Sequence, residues 1–356
     1  MDNGSVLTEV RADGIPSTIP KIDLHRHLEG AVRLGTIAEI ADQFDLDIPR
    51  DEEKLRRQVQ VLPEDSRNHE FFLERFRVIR KIFQSAEVIR RIVREAIEDA
   101  AADNVKYLEI RFTPSALTQT VGFPLDEATD WVIEAASEAQ RDFSIKVGLI
   151  ASVNRHEDPR IAARVFEIVQ DRSGTGILGI DLAGDELQAS MMPFKPVFEG
   201  AKSQGLGITI HAGEWAGAQN IREAILEMGA DRIGHGVRVM DDPEIIELAR
   251  DRGVCFEVSL SSNLLTGAVN SIDEHPLLAM IQAGLRLTLT TDDPSIFGTT
   301  LSKEYALAVE YFQLSEESLK AMVMTAVQSS FLPDREKNEL EKRMVGEIWE
   351  TDEDTI

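Results

Sequence analysis

The chain of 356 residues is 43% hydrophobic and 28% charged, with 23 Gly and 13 Pro, a composition that excludes disordered, collagen-like and disulfide-scaffold proteins. Thirty-eight Lys and Arg against 63 Asp and Glu leave a formal charge of −25. Such a field repels nucleic acid and anionic membrane surfaces, and no local basic cluster overrides it, so the expected partner is a small molecule that is neutral or cationic. The single cysteine, Cys255, lies in an apolar run and reads as a buried hydrophobe in a reducing compartment. The N-terminus lacks a basic region followed by an apolar one, and no stretch approaches the ~18 apolar residues of a membrane helix. The expected location is the cytoplasm.

Taken in order, short Val/Ile/Leu-rich runs alternate with segments of helical apolar spacing. Strands are predicted at Ile22–His25, Lys106–Phe112, Lys146–Ser152, Leu178–Leu182, Gly207–His211, Arg232–His235, Phe256–Leu260 and Leu285–Thr290. Helices are predicted at Ala86–Asp103, Leu125–Arg141, Arg160–Asp171, Pro193–Gln204, Ala218–Met228, Asp242–Arg252 and Pro276–Ala283. Alternating β and α units demand a parallel sheet, and eight of them suit a closed (β/α)8 TIM barrel better than an open doubly wound sheet. About eighty residues separate the first two strands, and Val32–Asp45 and Glu70–Phe83 in that stretch have helical patterns. The reading is therefore one barrel domain over 1–356 with a helical insertion after the first strand, an N-terminal extension (1–20) and an acidic tail (350–356).

Barrel enzymes do their chemistry at the carboxyl ends of the strands, and here those ends are polar. The first ends in His25-Arg26-His27, the second in Arg111, and the third leads to Asn154-Arg155-His156. The fourth leads to Asp181 and Gly184-Asp185, the fifth to His211 and Glu214, the sixth to His235, the seventh to Ser262-Asn263 and the eighth to Asp292-Asp293. His25 and His27 are two apart on a strand and share a face. With His211 and Asp292 from the same rim they make a three-nitrogen, one-oxygen set that zinc accepts; iron, manganese or cobalt could also occupy it, whereas magnesium or calcium would want more oxygens. The alternative is that these histidines satisfy buried backbone carbonyls. Glu214, His235 and Asp293 are candidate proton handlers around a hydroxide formed beside the ion. The competing roles are a helix N-cap or first-turn acid for Glu214 and an ordinary Asp-Pro turn for Asp293.

These residues stand in stretches that resemble the adenosine deaminase family of metal-dependent amidohydrolases: KIDLHRHLEGA (21–31), EIRFTP (109–114), GIDLAGDE (179–186), HAGEWAG (211–217), GADRIGHGVR (229–238), SSNLLTGAV (261–269) and TTDDPSIFGTTLSKEY (290–305). The resemblance runs from Lys21 past Tyr305. It implies one zinc ion per chain on His25, His27, His211 and Asp292, and hydrolytic removal of the 6-amino group of a purine nucleoside as ammonia. It also implies that Glu214 protonates purine N1, that His235 and Asp293 hold and deprotonate the attacking water, and that the Gly184 N–H meets N3. Phe72, Leu73 and Phe76 fall where the family's substrate-covering lid lies. The substrate contacts implied are His27, Glu29, Gly184, Asp293, Phe72 and Phe76.

Two positions depart from the adenosine-specific pattern. Glu29 replaces an Asp that meets the ribose 5′-hydroxyl, and relatives that act on free adenine often carry Glu there. Its carboxylate is also expected to repel a 5′-phosphate. Trp215 follows the HAGE stretch and either reshapes the pocket or packs under the loop. The expected substrate is adenosine, 2′-deoxyadenosine or a 5′-modified adenosine, with free adenine or aminodeoxyfutalosine as the alternative. A two-metal amidohydrolase would need a carboxylated Lys where Asp181-Leu182-Ala183-Gly184 stands, and a cytidine-deaminase site would need a cysteine pair. A non-catalytic binder on this scaffold would have had no need to keep every ligand and proton handler.

Overall fold

The computed structural model describes residues 14–349; the expected acidic tail and the extension up to residue 13 lie outside them. Eight strands pair in parallel in the order of the chain: β1 (Lys21–His27), β2 (Val105–Phe112), β3 (Lys146–Asn154), β4 (Ile177–Ala183), β5 (Gly207–His211), β6 (Arg232–Gly234), β7 (Cys255–Val258) and β8 (Arg286–Leu289). All eight predicted strands are present. Each inter-strand connection carries helix, and the β1–β2 connection holds helices Leu34–Gln43, Glu52–Val59 and His69–Ile79 before the long Ala86–Ala102 helix. This is the predicted barrel with its helical insertion.

The barrel closes at its carboxyl rim. The Asp292 N–H donates to the His25 carbonyl and the His27 N–H donates to the Asp292 carbonyl, both at 2.8 Å. The backbone bonds that join the last strand to the first thus also fix three of the proposed metal ligands. Closure leaves Asp292 with φ of +59°, and His235 sits at +60°. Four other non-glycine residues with positive φ, Asp45, Asn104, Ser144 and Gln313, lie just past helix ends, where such a conformation is common. Asp292 and His235 are buried at the rim instead, so their strained backbones are held by the surrounding structure.

The barrel interior is not purely apolar. Arg232 lies between Glu109 and Glu257, 2.5 Å from each, and Arg111 contacts Glu257 at 2.8 Å and Asp181 at 3.3 Å. All five are fully buried. Buried charges persist only when paired, and the strands supply these in opposite signs.

Two features were not anticipated. The seventh strand stops at Val258, because a short helix, Leu260–Leu265, begins where the apolar pattern suggested more strand. Three helices, Leu301–Phe312, Glu316–Ser329 and Asp334–Trp349, complete the chain. The second of them packs on β8 and β1, and just beyond it the Phe331 ring covers the Arg232 guanidinium at 3.6 Å and its N–H donates to Glu109. Phe331 thus covers the amino-terminal ends of β5 and β6.

Candidate active site

His25 and His27 project from β1 to one side, as the two-residue spacing predicted, with ring centres 5.2 Å apart. His211 at the end of β5 comes within 4.7 Å of His25 and 5.2 Å of His27. Asp292 Oδ1 lies 3.2 Å from His25 Nε2 and 3.3 Å from His27 Nε2. The four residues assigned to the metal therefore converge. His235 also stands close enough to belong to a ligand group with His25, His211 and Asp292.

The far side of each ring decides what the near side can do. His25 Nδ1 is 2.7 Å from Glu257 Oε2, and His211 Nδ1 is 3.1 Å from Asp181 Oδ1. Burial alone would raise both carboxyls, but Arg111 and Arg232 hold Glu257 well below the usual range, and His211 and Arg111 hold Asp181 below it. Ionised carboxylates only accept, so each Nδ1 carries a proton, and the neutral ring offers its lone pair from Nε2. The His25 Nε2 is buried without a hydrogen-bond partner, and the Nε2 atoms of His27 and His211 face each other at 3.2 Å. Lone pairs aimed at one point beside a carboxylate fit a divalent cation, and the carboxylates behind the rings raise their basicity. The backbone-carbonyl alternative does not hold for His25 and His211.

Asp181, Glu257 and Arg111 thus stand behind the histidine cluster, a position the sequence did not assign to them. Asp181 faces His211, and Arg111 ties Asp181 to Glu257. The signal available was Glu257 itself, a carboxylate in the middle of an apolar strand.

A second chain of hydrogen bonds sets His235. The Leu277 N–H donates to His275 Nδ1 at 3.1 Å, so His275 carries its proton on Nε2, 3.2 Å from Asn263 Oδ1. With that oxygen accepting, the Asn263 amide nitrogen donates to His235 Nδ1 at 3.1 Å, and the His235 proton sits on Nε2. That N–H faces Glu214 Oε2 at 3.6 Å and Asp292 Oδ2 at 3.8 Å. Burial lowers His275 to about 3. Burial, with the neighbouring His25 and His211, also holds His235 well below its usual value against the pull of Asp292. Both imidazoles are neutral, and His235 is a donor toward the site. Neither Asn263 nor His275 was assigned a role by the sequence.

Glu214 accepts from the Thr266 hydroxyl at 3.2 Å. Burial, then the charges of Asp292 and Glu186, push its carboxyl well above the ordinary range, which favours the protonated form. It does not cap the following helix, whose N-cap is Gly217. Glu186 holds the Glu214 loop by accepting the backbone N–H groups of Gly213, Trp215 and Ala216 at 2.5 to 2.8 Å.

Asp293 stands at the N-cap of the Pro294–Phe297 turn without making a capping bond, and its Oδ1 is buried and unpartnered. A Cβ on Gly30 would lie 1.7 Å from that oxygen, so only glycine lets the β1 loop pass it. Burial and the charges of Asp292, Glu29 and Glu214 push Asp293 upward; a cation at the adjacent ligands would act in the opposite sense.

His27, His211, Glu214, His235, Asp292 and Asp293 open into one cavity of about 320 Å³, within the range of small-molecule sites. His27, Glu29, Gly184, Glu214, His235, Asp292 and Asp293 line it, with Phe72, Leu73 and Phe76 from the insertion. Phe72 is buried and stacks on Phe297 at 5.2 Å, edge-on to Phe76. Trp215 also lines the cavity, packing against His69 and Phe72 of the insertion. His156 lines the wall outside the histidine cluster. Gly184 has φ of +92°, and a Cβ there would meet Arg155 N and His156 Nδ1 at 3.2 Å. Glu29 accepts from the Thr113 N–H at 2.8 Å, and burial raises its carboxyl to about 7.

Comparison with known proteins agrees with this geometry. A family model described as adenosine deaminase matches residues 20–346. An adenosine deaminase of Vibrio vulnificus is 37% identical over 322 residues, 90% of this chain and 97% of that protein. Among solved structures, the ADAL–IMP complex superposes with a TM-score of 0.85 at 30% identity, covering 96% of this chain and all of the other. An amidohydrolase from Burkholderia ambifaria with bound Zn superposes at 0.84 with 26% identity, over 94% of this chain and 92% of that one.

Proposed function

The chain belongs to the adenosine deaminase family, and from that premise we infer that it hydrolyses adenosine or 2′-deoxyadenosine, or an adenosine modified at the 5′ position, to the inosine product and ammonia. The observation that carries this reading is the convergence of His25, His27, His211 and Asp292 beside a cavity lined by Glu214, His235 and Asp293: a carboxyl raised by burial, a neutral histidine donor and an aspartate with an unpartnered oxygen. His25, His27, His211 and Asp292 would hold one zinc ion. When bound, the ion supplies the Lewis acidity that makes water a nucleophile near neutral pH.

The side chains divide the proton transfers. Asp293, which lines the cavity and has an oxygen without a hydrogen-bond partner, takes the proton of the attacking water, and the His235 Nε2–H donates to that water's oxygen and aims it at C6. Because His235 Nδ1 already accepts from Asn263, His235 stabilises negative charge without being the base. Glu214 gives its proton to N1 as the C6–O bond forms. The C6–N bond then breaks, the proton held by Asp293 leaves with the amine as ammonia, and the proton of the C6 hydroxyl is released as the C6 carbonyl forms, restoring the protonated carboxyl of Glu214. The Gly184 N–H meets N3, and Glu29 faces the ribose. Phe72 and Phe76 exclude bulk water over the base, strengthening each of these interactions. With no helix among the described residues able to cross a membrane and one buried thiol, the setting proposed is the cytoplasm.

The reading is tested by following adenosine absorbance on incubation with metal-analysed protein, in parallel with free adenine. Loss of the adenosine spectrum to that of inosine supports it. Adenosine left intact while adenine is consumed overturns it.

A further inference from the structure

The insertion carries two arginines that nothing in the deamination requires. Arg77 lies in the last turn of the His69–Ile79 helix and Arg80 three residues later, opening the 3-10 turn Arg80–Ile82. Both line the cavity that contains the histidine cluster. Arg77 is exposed and Arg80 half-buried, whereas His25, His211, His235 and Asp292 are buried, so the arginines mark the solvent end of the same cavity.

Neither has an ionic partner among the described residues, although the chain carries a formal charge of −25. Of the arginines nearby in sequence, Arg90, Arg91 and Arg94 each reach a carboxylate at 2.5 to 2.7 Å, and Arg75 is satisfied by the backbone carbonyls of Phe71 and Arg57. Among the described residues no carboxylate pairs with Arg77 or Arg80, and the Arg80 Nε is buried without any hydrogen-bond partner. Arg80 also lies near enough to Glu29 for its charge to act on that carboxyl. The group faced by Arg80 is therefore at the Glu29 end of the cavity, away from the metal ligands.

We propose that Arg77 and Arg80 form a subsite for an anionic oxygen group, phosphate or carboxylate, carried by the substrate on the 5′ side of its ribose. This rests on the deaminase reading above. With C6 at the histidine cluster, N9 and the ribose lie at the opposite edge of the purine, and whatever extends the ribose reaches the solvent end, where two guanidinium groups are unmatched. Planar guanidinium forks suit such oxygens, and charge-assisted bonds are stronger than neutral ones. Glu29 adds one carboxylate there, and its Oε1 is already engaged by the Thr113 N–H; two positive charges outweigh it. The repulsion of a 5′-phosphate expected from Glu29 alone is thereby reversed by residues on a helix the sequence read as an apolar lid.

The test compares kcat/KM for adenosine, adenosine 5′-monophosphate and adenosine 5′-carboxylate in the wild type, Arg77→Gln, Arg80→Gln and the double variant. At least one anionic substrate should exceed adenosine by about tenfold in the wild type. The double variant should lose about 10- to 100-fold on that substrate, chiefly through KM, and much less on adenosine. Added salt should depress only the anionic substrate. Which of the two anions is favoured identifies the source of the charge. Preference for adenosine over both, or equal losses on all three, overturns the subsite while leaving the deaminase reading intact. If no substrate of the three is deaminated, both fail.

Discussion

The floor and the mouth of the cavity are built on opposite plans. At the floor His25, His211, His235 and the Glu214 loop each have a fixed partner behind them: Glu257 behind His25, Asp181 behind His211, Asn263 and His275 behind His235, Glu186 behind the Glu214 loop. These side chains come from the barrel strands or the loops that leave them, and are buried. At the mouth, Arg77 and Arg80 lie on the helical insertion without ionic partners, and the aromatics Phe72, Phe76 and Trp215 touch mainly one another. The difference teaches that the floor is organised for chemistry, where a misplaced atom costs rate, and the mouth for recognition, where unmatched groups wait for a ligand.

If the floor is organised for chemistry, disturbing it should lower kcat while leaving the mouth's KM-type effects untouched. The largest effect is expected for Glu214→Gln, which keeps the shape but removes the proton donor: kcat/KM for adenosine should fall about 10³-fold, in the upper range for a general acid. The same group sets an alkaline limit. Its carboxyl is raised by burial and by Asp292 and Glu186, so the active, protonated form persists to higher pH than an ordinary carboxyl would allow and is lost as pH rises through that elevated value. A wild-type kcat/KM profile that falls on the alkaline side checks this.

Asn263→Asp tests the tautomer chain with a nearly isosteric change. A carboxylate can only accept, so the proton of His235 would move to Nδ1 and its Nε2 would become an acceptor facing the water. A loss of about 10²-fold in kcat is expected, with the imidazole 15N shifts of His235 exchanged between the two tautomers. Unchanged shifts would dissociate Asn263 from His235.

Glu257→Gln should act through the metal. Losing the carboxylate behind His25 is expected to weaken zinc binding by about 10- to 100-fold, as for other outer partners of ligating histidines. Titration with a competing chelator reads this independently of turnover. At the mouth the smallest effect is expected: Phe72→Ala should raise KM for adenosine by about tenfold with little change in kcat, because it opens the cover without touching a reacting atom.

The floor was legible in the sequence because its residues sit at strand ends, where periodicity fixes position. His25-Arg26-His27 on one strand, with His211 and Asp292 at the ends of others, could be assembled without coordinates. Its supports were not legible. Glu257 is 232 residues from His25, and only closure of the barrel brings β7 within one strand of β1; Asn263 and His275 act through a tautomer that a sequence does not record. The mouth was read least well. Phe72 and Phe76 showed as lid residues through resemblance, but Arg77 and Arg80 look in sequence like the solvated face of an amphipathic helix. The three C-terminal helices went unassigned because attention to strand ends gives no information past β8.

The central claim is that one ion at His25, His27, His211 and Asp292 is required for a deamination carried out by Glu214, His235 and Asp293. The direct measurement is to strip the protein with a chelator and titrate Zn²⁺ back while following adenosine absorbance and bound metal together. Activity should be lost on stripping, return in proportion to bound zinc and saturate at one ion per chain. Turnover that survives stripping, or that needs a second ion, would contradict the account.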